Sequence, residues 1–395
     1  MDFKLSEEQS QLRDTLTRFV QKEYSFEKRR EILRSPEGWS RAIWKKFSEM
    51  GLPAIGIAED HGGLGGSAAD TFIVMEAFGR GLVVEPYLST VILGAGLIQR
   101  AGSAAQKAEL LPKVAAGELM LALAHHESGA RYELNRVATS ARKDAGGWRI
   151  SGAKTVVLHG AAADKLIVSA RTSGKERDAA GVSLFLIDAK AAGVALHAYP
   201  THDGQRAAEL TLKDVRAGAD ALIGPADQGL ALVEQALDCG IAALCAEAIG
   251  AMTALIELTL AYLKTRKQFG VAIGSFQALQ HRAADMLMYA EQARSMAYLA
   301  AAKVDAQDPH ERRRALSAAK VLVGQAARYV GQQAVQLHGG IGVTDELSVS
   351  HYFKRLTLIN ATFGDADHHL ARFSDLIAQE GESQISAPAK SRKIA

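Results

Sequence analysis

The sequence predicts an α+β chain, mostly α, in three parts: an N-terminal helical domain over residues 1–118, a middle barrel-like β domain over 119–225 and a C-terminal four-helix bundle over 226–380, followed by a flexible tail at 381–395. Three observations predict it. Short amphipathic segments fill the first third, runs of four to eight Val-, Ile- and Leu-rich residues fill the middle, and long apolar segments fill the rest. At 395 residues the chain exceeds one simple core, and roughly 150 residues per domain gives two or three domains.

In "LSEEQSQLRDTLTRFVQKEY", Ser6 and Gln9 make a capping-box pattern, and Leu12, Leu16, Phe19 and Val20 repeat at helical spacing along one face. "DTFIVMEAFGRGL" and "STVILGAGLIQRAG" are shorter apolar helices that close on glycine. From "LMLALAHHE" through "GWRISGAKTVVLHG", "DKLIVSART", "GVSLFLID", "GVALHAYP" and "AAELTLKDV", no helical pattern separates the strand-like runs, which predicts an antiparallel sheet or barrel rather than βαβ units. From about Gln228, "GLALVEQALDCGIAALCAEAIGAMTALIELTLAYLKTRKQF" has the length of about ten helical turns and is apolar on more than one side, as a helix buried between neighbours must be. Two further long segments complete a bundle.

Lys and Arg nearly balance Asp and Glu, so a net charge of +2 gives no reason to expect nucleic acid as a partner. "MDFKLSEEQ" lacks the basic and apolar regions of a signal peptide, and no apolar stretch approaches the ~20 uncharged residues of a membrane span. Cys239 and Cys245, six apart in a helical stretch, have neither metal nor redox spacing; they read as core thiols of a reducing compartment, and the expected location is the cytoplasm.

"HGGLGGS", residues 61–67, lacks the lysine of a phosphate-cradling loop and reads as a turn. "QLHGGIGV", 336–343, ends a long helix on paired glycines, which suits a C-cap or a close backbone approach by a ligand. "TRKQFG", 265–270, followed by "GSFQALQ" has either a solvated helix end or a binding constellation: Arg266 to grip a phosphate, Phe269 to stack on a ring and Gln277 to hydrogen-bond a ribose or heterocycle.

"TRKQFGVAIGSFQALQHRAADM", "QLHGGIGVTDE", "GLPAIGIAEDHGGLGG" and "LIGPADQGLALVEQALD" resemble, colinearly across residues 3 to 378, motifs of the acyl-CoA dehydrogenase flavoproteins. The resemblance implies an enzyme that removes an α-proton from an acyl-CoA thioester by a carboxylate base and passes the β-hydrogen as hydride to FAD. It also implies that FAD crosses a subunit interface, with one subunit's β domain holding the ring and the neighbour's bundle clasping the pyrophosphate and adenosine. By that resemblance Arg266, Phe269, Gln277, Gln336, Gly339 and Gly340 form the clasp.

Departures fall elsewhere. Where the family usually has Thr-Glu-Pro-Gly-Ala-Gly-Ser-Asp against the flavin, this chain has "HESGARYE", 126–133, with His126 for the threonine and Tyr132 for the serine. The family's Trp-Ile-Thr becomes "VVL", 156–158, so Leu158 offers no hydrogen bond and Val156 no aromatic face. The two usual positions of the base are Phe363 and Gly240, neither of which takes a proton. In "TFGDADHHLARF", 362–373, Asp365 is open to two readings: a displaced base, or an N-cap whose hydrogen bonds would lower its pKa. Adjacent His368 and His369 point about 100° apart on a helix, so no metal site is expected, and one of them has the placement to meet the flavin.

The pattern of losses and retentions predicts one half of an α₂β₂ heteromer whose competent flavin site lies in a second acyl-CoA dehydrogenase-like subunit. Within the family the chain is most similar to the small subunits of pimeloyl-CoA dehydrogenases, and in the same respects to the paired-subunit enzymes of steroid side-chain degradation. That likeness implies dicarboxylyl-CoA or other unusual acyl-CoA substrates. Arg131, at a family glycine position, is then either a surface residue or a contact for a distal carboxylate. Two other readings stay open: a self-sufficient homo-oligomer using Asp365, and a flavin-free scaffold. An electron-transfer flavoprotein is the acceptor the family implies.

Overall fold

A computed structural model describes residues 4–386 of the chain. Ser6 opens α1 (Glu7–Glu23) with the expected capping box: its hydroxyl accepts from the Gln9 amide while the Gln9 side chain accepts from the Ser6 amide. Helices α2 (Phe26–Arg34), α3 (Arg41–Glu49) and α4 (Ala68–Gly81) follow, and residues 61–67 turn as their glycines suggest. Gly63 is obligatory there, because a Cβ would lie 1.9 Å from the Ile57 carbonyl oxygen.

Two helix readings are corrected. Helix α4 stops on Leu82, at φ 51, rather than on glycine; the buried guanidinium of Arg29 donates to the Leu82 carbonyl and holds this left-handed cap. Leu88–Ala95 is π-helical and becomes α-helical only in α5 (Gly96–Ala101), which α6 (Ala104–Ala115) follows. Apolar periodicity did not distinguish the wider turn, because nearly every residue in it is buried.

The middle of the chain folds into strands β1 (Leu121–Ala124), β2 (Ser140–Asp144), β3 (Gly147–Leu158), β4 (Lys165–Arg171), β5 (Val182–Asp188), β6 (Val194–Pro200), β7 (Arg206–Ala217) and β8 (Leu222–Ile223). Their order is β6-β7-β3-β2-β4-β5-β8, antiparallel except that β2 touches β4 in parallel; β1 adds to β4 in parallel as well. These parallel links correct the purely antiparallel expectation. The β2–β3 hairpin intervenes between β1 and β4 and lets the chain return in the same direction.

The last third contains α7 (Gly229–Thr265), α8 (Gln277–Lys303), α9 (Pro309–His338), α10 (Ser348–Ala361) and α11 (Ala366–Ser386). By length and composition α7 could cross a membrane, but most of its apolar window is buried against neighbours. It packs backbone to backbone on α4: a Cβ at Gly79 would lie 1.9 Å from the Glu247 oxygen, and one at Gly250 would lie 1.8 Å from that of Glu76. The helical bundle thereby abuts the N-terminal domain directly. The tail expected at 381–395 begins within α11, and residues 387–395 lie outside the described part.

Candidate active site

A cavity of about 340 Å³ lies between the β domain and the bundle. Leu123, His125 and His126 at the end of β1 and Val156 and Leu158 of β3 form one wall; α7, α10 and α11 supply the other. Beneath the β wall, Lys154 is buried and donates to Glu127 (2.7 Å), Ser169 (2.9 Å) and the His125 carbonyl (3.3 Å). Burial pushes the Lys154 ammonium down to about 8 and the His125 imidazole down to about 3. Burial works to raise Glu127, but Lys154 beside it holds the carboxyl below its ordinary value. The network is satisfied and holds the strand ends rigid, whereas His126 faces the cavity with its pKa lowered by burial.

Val156 sits at φ 51, where the β3–β7 register shifts between Lys154 and Val157, and is 44% exposed. Neither Val156 nor Leu158 brings a polar side-chain atom to the cavity.

On the opposite wall Phe363, at φ 60, places its ring against α7. A Cβ at Gly240 would lie 2.7 Å from Phe363 Cε2, so the two positions at which the sequence looked for a base meet in one place. Lys320 fixes the backbone there, donating to the carbonyls of Ile359 (2.6 Å), Thr362 (2.7 Å) and Asn360 (3.2 Å). His369 is fully buried and bonds Ser317 Oγ (3.2 Å) and the Phe363 carbonyl (3.0 Å), which removes it from any flavin contact; burial pushes it down to about 3. His368 does line the cavity, 5.0 Å from the Tyr132 ring.

Asp365 caps α11, accepting from the His368 amide at 2.9 Å, and that bond holds its carboxyl below the ordinary range. Its other oxygen faces the Tyr132 hydroxyl (3.4 Å) and Arg131 (3.8 Å), and Asp365 is not among the cavity-lining residues. Arg131 adopts φ 47 at the cavity rim with its side chain 80% exposed, 5.6 Å over the Tyr132 ring.

Away from the cavity, the structure joins the two motif segments of the bundle. Tyr262 near the end of α7 stacks on His338 at the end of α9, at 4.5 Å, so the residues after both helices share one surface. Arg266, Gln277, Gln336, Gly339 and Gly340 are all exposed. Phe269 is 91% exposed at the tip of a hairpin, β9 (Lys267–Gln268) and β10 (Val271–Ala272), and adopts φ 54. A bulky side chain held in that backbone region carries strain, and here the ring is also offered to solvent. Nothing lies within 4 Å of a Cβ built at Gly339 or Gly340, which leaves their backbone approachable.

Glu234, Asp238 and Arg372 were not singled out from the sequence, yet all three line the cavity. Helical spacing was the available signal: Arg372 lies four residues after His368, and Glu234, Asp238 and Ile241 lie along one face of α7.

Comparison with known proteins agrees with this geometry. Family models for the acyl-CoA dehydrogenase N-terminal, middle and C-terminal domains match residues 6–118, 122–215 and 227–375. The chain is 30% identical to the probable acyl-CoA dehydrogenase YngJ of Bacillus subtilis, covering 93% of this chain and 97% of that protein. Among solved structures, a variant of the Tcur3481-Tcur3483 steroid ACAD superposes with a TM-score of 0.85 at 30% identity, covering 95% of this chain and 99% of that one. The ChsE4-ChsE5 complex from Mycobacterium tuberculosis superposes with a TM-score of 0.84 at 26% identity, covering 98% and 100%. Three successive domain matches and a full-length relative establish that this chain belongs to the acyl-CoA dehydrogenases, a family of FAD-dependent oxidoreductases.

Proposed function

We propose that the chain is one subunit of a heteromeric, cytoplasmic acyl-CoA dehydrogenase, and that it lends the far end of its bundle to a flavin held by a second acyl-CoA dehydrogenase-like subunit. The observation that carries this is a contrast. Phe363 and Gly240 fill the base positions with carbon, while Arg266, Phe269, Gln277, Gln336, Gly339 and Gly340 stand exposed and ready for a ligand. FAD, when bound, accepts the β-hydrogen as hydride. The clasp residues fit the pyrophosphate and adenosine end of FAD: Arg266 as a bidentate phosphate donor, Phe269 as a stacking face and the glycines as open backbone. The ring end fits poorly in this chain, since Val156 and Leu158 offer it only hydrocarbon.

Exposed Val343 and Ile341 beside the clasp favour a covered, multi-subunit surface over a free one. The similarity to two structures whose names each join two chains supports the same reading. The substrates proposed are dicarboxylyl-CoA or other unusual acyl-CoA thioesters, as in the pimeloyl-CoA dehydrogenase small-subunit reading, with electrons leaving to an electron-transfer flavoprotein. Asp365 serves as a cap rather than a base, because its backbone bond stabilises the unprotonated, weakly basic form.

The test is the visible spectrum of the chain purified alone, followed by anaerobic mixing with acyl-CoAs including pimeloyl-CoA. A colourless chain that gains bound flavin only with a co-expressed partner is expected. Stoichiometric flavin that bleaches promptly in the isolated chain would overturn the heteromer reading in favour of the self-sufficient one.

A further inference from the structure

The cavity carries one charge that no close partner neutralises. On its bundle side Asp238 accepts from Arg312 Nε at 2.9 Å, with both side chains buried, and Glu234 is paired with Arg313. Arg372, part-buried beside these pairs on α11, donates no hydrogen bond and makes no ion pair among the described residues, and feels Asp238 and Glu234 only at longer range. Arg312 and Arg313 thus match Asp238 and Glu234, and the unmatched arginine, Arg372, lines the cavity together with those two carboxylates.

A guanidinium brings five donors and keeps its proton, so holding it part-buried in a cavity that Leu237, Ile241 and Phe363 also line, without an acceptor, costs desolvation energy that an anion would return. Asp238 and Glu234 would repel such an anion if they were free, but each is already paired. The other cavity arginine is placed differently: Arg131 is largely exposed at the rim and already faces Asp365. The lining also includes an aliphatic group, among them Leu93, Leu123, Leu134, Leu158 and Leu358, that suits the methylene part of an acyl chain.

We propose that Arg372 is the anion-recognising residue of this cavity, and that the cavity takes an acyl chain whose far end bears a carboxylate. A bidentate guanidinium–carboxylate contact supplies the selectivity. The proposal rests on reading the cavity as an acyl-thioester site, but not on whether this chain performs the chemistry, so its readout is binding.

Calorimetry of the full chain, with its partner subunit if one co-purifies, would compare octanoyl-CoA with its ω-carboxy counterpart, octanedioyl-CoA. A charge-assisted contact of this kind should favour octanedioyl-CoA by about tenfold or more. The preference should vanish in Arg372→Met, persist in part in Arg372→Lys, and stay intact in Arg131→Met, with octanoyl-CoA binding unchanged throughout. Equal binding of the two thioesters by the unmodified protein, or a preference that survives in Arg372→Met, would overturn the assignment. If neither thioester binds, the acyl-thioester reading of the cavity itself fails and this inference fails with it.

Discussion

Phe363 and Gly240 are complementary: the ring of one occupies the space that any side chain at the other would need, with 2.7 Å between Phe363 Cε2 and a Cβ built at Gly240. A helix position and a loop position far apart in the chain thus form a single plug of hydrocarbon where the family resemblance places a carboxylate. Gly240→Ala should destabilise the fold by about 1–3 kcal/mol, because the new methyl would meet Leu93 Cδ2 at 3.1 Å as well as the ring, and α7 is held on several sides. Phe363→Ala should cost stability by itself and yet relieve Gly240→Ala in the double variant. Urea titration of the four proteins gives the coupling directly, and simple additivity would count against the contact.

The plug depends on backbone anchors beneath it. Lys320 Nζ donates to three carbonyls around residues 359–362, and a Cβ at Gly364, which adopts φ 105, would lie 2.7 Å from His369 Nε2. Lys320→Met fills the same volume but strands those carbonyls, so a loss of at least about 2 kcal/mol is expected in chemical denaturation. Lys320→Arg should recover little, since the planar fork does not match three convergent carbonyls. A near-neutral Lys320→Met would show that water replaces the ammonium.

Much of this architecture was legible in the sequence, for reasons that differ by element. Ser6 and Gln9 announce α1 because a capping box is purely local, and α7 announces itself because an all-round apolar segment of that length has to be buried. The π-helical turn at Leu88–Ala95 and the left-handed Leu82 were hidden because each depends on distant partners, β1 through the Thr90 hydroxyl and Arg29 respectively. At the site, the absence of a carboxylate at Phe363 and Gly240 could be read from motif positions, but their mutual contact could not. Arg372 was missed for a similar reason. Its significance is that neighbouring acids are already spent on Arg312 and Arg313, which only the packing of α7, α9 and α11 reveals.

The exposed clasp makes a prediction that separates binding from folding. Arg266 and Phe269 support little within this chain, Phe269 touching Phe276 edge-on at 6.1 Å, so Arg266→Ala and Phe269→Ala should leave the denaturation midpoint of the isolated chain within about 0.5 kcal/mol. In the assembled enzyme the same substitutions should lower flavin content per heteromer, measured by absorbance after gel filtration. Unchanged flavin content in both would remove this surface from the flavin site.

Acid should destabilise the fold, and the sign follows from which groups are buried. His125, His159 and His369 are pushed by burial down to about 3, 4 and 3. An unfolded chain takes up protons on these residues near 6.5, whereas the folded chain resists until about pH 4 or below. Through that window the unfolded state binds more protons, so the contribution is whole above pH 6.5 and is lost as pH falls. Glu85 acts in the opposite sense: burial pushes it up to about 7, so between about 4.5 and 7 the folded state holds a proton that the unfolded state releases. Three groups oppose one, each contributing at most about 1.4 kcal/mol per pH unit. The urea midpoint should therefore be lower at pH 5 than at pH 7. The decline should flatten in His369→Gln and steepen in Glu85→Gln; a midpoint that rises on acidification would show that the buried histidines are protonated in the folded chain.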